Sequence, residues 1–156
     1  MRYLYRPSTQ DDIAYVSQNM RKEDQDECWA SGLSPDLALS TSNEGSEVSY
    51  ALIAPDTRNP AAILGIAPSP FGPRFGVIWM LGTDDIRRHK FTFLRNCRPV
   101  LSALYEETNR ECFYNYTYSR NTLHHAWLKW MGFVFLREAP MPATNEPFYE
   151  FVRLKG

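Results

Sequence analysis

Cysteine is scarce. The chain of 156 residues has three, Cys28, Cys97 and Cys112, far apart in sequence. No Cys-x-x-Cys pair or nearby histidine pair accompanies them, so neither a disulfide framework nor a metal site is expected, and reduced thiols are the default. Neither Cys97 nor Cys112 has an identifiable base, so buried thiols are expected there rather than nucleophiles. No apolar run reaches membrane-spanning length. The first residues, Met1 to Pro7, lack the apolar stretch of a secretory signal. Charge of one sign is also missing, since 17 Lys and Arg stand against 18 Asp and Glu. Without a basic field, neither nucleic acid nor an anionic membrane is an expected partner. The expected setting is inside a cell, or inside a particle assembled there, not a secreted one.

What is present is enough apolar residue to build a core, 44% of the chain against 22% charged. No repeat or linker divides it, so residues 1–156 read as a single domain. Arg2 to Arg6 reads as a strand stopped by Pro7. Ser8 or Thr9 caps a helix with Asp11 and Asp12 in its first turn and Ile13, Val16 and Met20 on one face. Ser34-Pro35 starts a second helix and Gly45 ends it. Strands follow at Val48–Leu52, Ala61–Ala67 and Phe75–Leu81, the last apolar on both faces and therefore central. Asp84 to about Tyr105 reads as one long helix with Phe91, Leu94, Leu101 and Leu104 inward and Pro99 kinking or restarting it. Cys112–Tyr118 is a strand. Asn121 caps a helix that sets Leu123, Trp127 and Trp130 against the sheet and ends at Gly132. Phe133–Arg137 and Phe148–Leu154 are the last strands. The order β-α-α-β-β-β-α-β-α-β-β predicts an α/β mixed sheet flanked by helices.

That order resembles the GNAT acyltransferase superfamily. Tyr5-Arg6-Pro7-Ser8-Thr9-Gln10-Asp11-Asp12-Ile13 is similar to the family's first strand and helix, and Asn121 through Gly132-Phe133 to its fourth helix and the strand after it. A narrower resemblance joins Ile78-Trp79-Met80-Leu81-Gly82-Thr83-Asp84, Asn115-Tyr116, Arg120-Asn121-Thr122-Leu123-His124 and Trp127-Leu128-Lys129 to the small internal virion protein of short-tailed coliphages, a family of phage-encoded GNAT-like domains. It implies a virion-assembly or binding module with absent or residual acyl transfer, working through other phage virion proteins or a host protein and able to form a homo-oligomer. Its place would be the bacterial host cytoplasm or the phage particle. The alternative is an active acetyl-CoA-dependent N-acetyltransferase that modifies a host or phage protein.

The resemblance implies where chemistry would sit. A GNAT enzyme binds the pyrophosphate of acetyl-CoA on N–H groups at the start of its third helix, usually through a glycine-containing loop. The matching stretch, Thr83 to Thr92, has no glycine after Gly82 and opens on Asp84 and Asp85. Its run Arg87-Arg88-His89-Lys90 is either a side-chain anion site or a solvated helix face. The cofactor-binding set implied is Met80, Leu81, Thr83, Arg87, Arg88, Lys90 and Asn121. A GNAT general acid, often a tyrosine seven residues after the helix-opening Asn, would fall on Leu128, which cannot transfer a proton. His124, His125 and Tyr116 are the remaining candidates, and the strand expected to carry a glutamate base has none.

Overall fold

The computed structural model describes residues 4–156. Strand β1 (Leu4–Pro7) ends at Pro7, and Arg2 and Tyr3, the start of its expected range, lie outside the described residues. Helix α1 (Gln10–Asn19) is closed by a capping box. The Thr9 hydroxyl accepts from the Asp12 N–H, while the Asp12 carboxylate accepts from Thr9. An unforeseen helix, α2 (Lys22–Ser31), comes next, then α3 (Pro35–Gly45) with Ser34 as its cap. Strands β2 (Val48–Ile53), β3 (Pro60–Pro68) and β4 (Phe75–Gly82) form an antiparallel meander. Helices α4 (Asp85–Arg88) and α5 (Lys90–Thr108), strand β5 (Cys112–Tyr118), helix α6 (Thr122–Trp130) and strands β6 (Val134–Pro140) and β7 (Pro147–Leu154) complete the chain.

The seven strands lie in the order β1-β2-β3-β4-β5-β7-β6, so β4 is central as expected. Among the described residues only the β4–β5 contact is parallel. On one side of the sheet, Ile78 and Met80 pack with Leu64, Phe93, Leu101, Leu104, Phe113 and Trp127 under α5 and α6. On the other side, Leu81 and Ile63 meet Ile13, Val16 and Leu39 from α1 and α3. β4 is therefore apolar on both faces because both are covered. Gly65 on β3 lets the neighbouring strand's indole lie flat, since a Cβ there would fall 2.5 Å from the Trp79 ring.

Three expectations need correction. The long helix is broken at His89, whose φ of −128° and ψ of 48° are not helical. The restart shifts the helical phase, so Phe93 is buried at 2% exposure and Phe91 stands out at 74%. Pro99 stays inside α5, on its exposed side, where water can take the carbonyl that a proline cannot bond. Trp127 is core as expected, at 5% exposure, but Trp130 is 39% exposed. The Trp130 ring lies under the Arg98 guanidinium, 4.0 Å from its centroid, and its N–H donates to the Leu94 carbonyl. Finally, α2 escaped notice because its sequence KEDQDECWAS has no apolar stripe; it buries Asp24, Cys28 and Ala30.

Candidate functional site

β4 and β5 touch at one end and part at the other. Their parallel pairing runs only from Phe75–Cys112 to Val77–Tyr114. Past that point Asn115 reaches across, its amide donating to the Ile78 carbonyl at 2.8 Å. The opening leads to a cavity of about 190 Å³ lined by Ile78, Met80, Asn115, Tyr116, His124 and Glu27, among others.

α2 lies across the mouth of this split and stitches its two walls. On the β4 side, Asp24 Oδ2 accepts from the Gly82 N–H at 2.9 Å and from Arg21 Nε at 2.7 Å. On the β5 side, Glu27 Oε1 accepts from the Tyr118 N–H at 2.8 Å and the Thr117 hydroxyl at 3.0 Å. Asn121 caps α6 through its carbonyl, which accepts from the His124 N–H. Its amide reaches both acids, at 3.2 Å to Asp24 and 3.4 Å to Glu27. All these hydrogen bonds fall on one Glu27 oxygen, and Oε2 has no partner among the described residues. Burial, with the nearby Asp24 charge, pushes the Glu27 carboxyl up to about 7, against the pull of its donors.

The residues singled out from sequence divide into three groups. Tyr116, His124, Met80 and Leu81 come together on the cavity wall. The Tyr116 hydroxyl donates to Glu150 at 2.8 Å, and that carboxylate, with burial, raises the phenol's pKa. His124 is 5% exposed and its Nδ1 has no partner among the described residues, while burial lowers its pKa to about 4, so it is a neutral ring at physiological pH. His125 is elsewhere. Its Nε2 is bonded to the Tyr118 carbonyl at 2.8 Å, and its ring packs edge-on against Phe135 and Tyr149. Leu128, where a GNAT tyrosine would stand, is fully buried core.

The cationic run is not gathered into an open anion site. Arg87 pairs with Glu23 at 2.6 Å and Asp84 at 2.9 Å, and Arg88 with Asp56 at 3.0 Å and Asp85 at 2.9 Å. Lys90 is exposed and has no ion pair among the described residues. Thr83 is buried, its hydroxyl donating to the Ala61 carbonyl and accepting from the Asp85 N–H. The fit to acyl-CoA is thus uneven. Basic side chains and the first turn of α5 stand where phosphates would lie, and β4 has an open edge at Met80, but the chain's own carboxylates hold most of these groups.

Asp24 and Glu27 were not foreseen from sequence. Available signals were acids in the first turn, Glu23 and Asp24, and the left-handed Gly32 that ends the helix at φ 98°. The cysteines are as expected: all three are free and buried, burial pushes the Cys28 and Cys97 thiols up to about 12, and Cys97 receives the Trp127 N–H at 3.3 Å. Among the described residues no cluster of His, Cys, Asp and Glu is placed to hold a metal, and no helix is long and apolar enough to cross a membrane.

No family profile and no curated protein matches the sequence. Solved structures do match. An acetyltransferase of the GNAT family from Bacillus anthracis superposes with a TM-score of 0.73 at 13% identity, over 99% of this chain and 96% of that one. AAC(6')-Ib, in complex with ribostamycin and coenzyme A, gives 0.74 at 13% identity, covering 99% and 94%. Spermidine N-acetyltransferase from Vibrio cholerae, in complex with CoA and spermine, gives 0.68 at 11% identity, covering 99% and 96%. At such identities the likeness is one of architecture, and the architecture of this chain is the GNAT fold.

Proposed function

We propose that this chain is an N-acyltransferase of the GNAT type acting on a primary amine, with Glu27 as the group that takes up the amine proton. The observation that carries this reading is a carboxylate fixed at the split between β4 and β5 with one oxygen free of partners among the described residues, where burial and the Asp24 charge push its pKa up to about 7. A base works best when its pKa lies near the working pH. Glu27 is fixed through Oε1 by Tyr118, Thr117 and Asn121, which leaves Oε2 to meet an ammonium group and then accept its proton.

Acetyl-CoA, when bound, supplies the activated acyl group. Met80 on the open edge of β4 and Arg87, Arg88 and Lys90 near the start of α5 are the residues that would hold it. Tyr116 is the proton donor for the leaving group. Its raised pKa keeps its proton on at neutral pH, and it shares the cavity wall with Glu27. The neutral His124 presents a polar edge beside them without adding charge. Glu27 supplies the general base that the sequence of β4 lacks, and Tyr116 takes the acid role that Leu128 cannot.

The fold likeness to acetyltransferases supports this reading. The virion-assembly role gains nothing from it and rests on sequence resemblance alone. The amine can belong to a small molecule or to a host or phage protein, and a panel of polyamines and lysine peptides separates these. With saturating acetyl-CoA, native protein should acetylate at least one class, and Glu27→Gln should cut the rate by about 10²–10⁴. Absence of turnover in the native protein, or full turnover in Glu27→Gln, would defeat the assignment.

A further inference from the structure

Beyond Val77, β4 has no strand pairing on its β5 side among the described residues. Its register with β3, together with the Thr83 N–H bond to the Ala61 carbonyl, points the main-chain groups of Ile78, Met80 and Gly82 into the split. This edge is the lane an extended ligand would follow toward the start of α5. Its outer end is filled by the chain itself. Met20 forms an antiparallel bridge with Thr83, the Arg21 N–H donates to the Gly82 carbonyl at 2.9 Å, and the Asp24 carboxylate takes the Gly82 N–H. Met80 alone of the three has no main-chain hydrogen bond into the split among the described residues.

We infer that residues Met20–Asp24, the lead-in and first turn of α2, form a plug on the cofactor lane, and that the chain rests in a state closed to acyl-CoA until this plug leaves Gly82. The inference builds on the acyltransferase reading and adds its regulation. Two features suit a releasable contact. Arg21 and Asp24 are 4% and 1% exposed, yet Arg21 Nη2 has no partner among the described residues, so the closed state keeps an unmet buried donor. The Glu27 bonds to Thr117 and Tyr118 do not involve the plug, so the first turn can move while these hold; Asn121, bonded to both acids, would give up only its bond to Asp24. A closed majority state lowers apparent cofactor affinity by the fraction that is open.

The test is calorimetric titration with CoA, which cannot be turned over. Native protein should bind weakly, with a dissociation constant well above ~1 μM. Arg21→Ala/Asp24→Ala should bind at least about tenfold tighter, as expected when the open fraction rises by that factor. Met20→Cys/Thr83→Cys, paired across the bridge at a spacing a disulfide can span, should lose CoA binding when oxidised and regain it when reduced. Binding of the amine identified in the turnover panel should survive in every variant. Its loss would indict the acyltransferase reading, not the plug. Tight CoA binding by native protein, or a folded double variant that binds no better than native, would overturn the plug. If the double variant does not fold, amide exchange on native protein decides. CoA should speed exchange across Met20–Asp24, and binding without that change also overturns the plug.

Discussion

The two ends of the β4–β5 seam are built differently. At Phe75–Val77 the strands are joined by main-chain pairing, above a core of Phe113, Tyr105 and Leu104. The rings of Tyr105 and Phe113 stack 3.9 Å apart. At Gly82 and Tyr118 the same strands are joined through α2 and its lead-in, chiefly by the Asp24 and Glu27 side chains, with Asn121 bonded to both acids. The first end is backed by that apolar core and by Arg110, which pairs with Glu47 and donates to the Phe75 carbonyl. The second holds a buried acid, Asp24, a partly exposed one, Glu27, and a buried neutral histidine, so its stability depends on pH and its contacts can be exchanged. A fold that opens its sheet at one end must close the other firmly, and here function is assigned to the loosely stitched end.

The comparison breaks most visibly in the apolar half. Trp127→Ala should cost about 3–5 kcal/mol, the range for a large buried aromatic, read from urea unfolding. A cost like that of a surface substitution would mean that α6 is not held by this core.

The polar half should respond to pH. Glu27 is an acid whose folded value, about 7, lies above its ordinary value of 4.5, so its contribution is full below 4.5 and is lost as pH rises toward 7. His124 is a base whose folded value, about 4, lies below its ordinary 6.5, so its contribution is full above 6.5 and is lost as pH falls toward 4. The slopes oppose each other between roughly 4.5 and 6.5, and native stability should be nearly flat there. Glu27→Gln should unmask the His124 slope, so that stability rises with pH across that window. A flat profile in the variant would show that His124 is not buried neutral.

The smallest effect is expected at Trp130, whose ring is partly exposed and held by Arg98. Trp130→Ala should cost about 1 kcal/mol, in the range of an exposed cation–π contact and its hydrogen bond. A loss as large as that of Trp127 would restore the inward placement that helical spacing suggested.

Much of the scaffold was legible because its signals are local. The alternation in Cys112–Tyr118, the caps at Thr9, Ser34 and Asn121 and the doubly apolar Phe75–Leu81 each specify an element without help from distant residues. The candidate site was legible only in part. His124 and Tyr116 were found because rings that can titrate are rare near the split. Glu27 was missed because nothing local separates it from Glu23 and Asp26 in the same acidic run; the distinction is made by Tyr118 and Asn121, more than ninety positions away. Likewise the Arg87–Lys90 run cannot reveal from sequence that Asp56 and Glu23 will occupy its arginines.

On this reading Glu27 is a base held near neutrality at the open end of the split, and its side-chain carboxyl carbon, followed by NMR as pH is raised, should titrate with a midpoint about 7. A midpoint at the ordinary carboxylate value near 4.5 would overturn it.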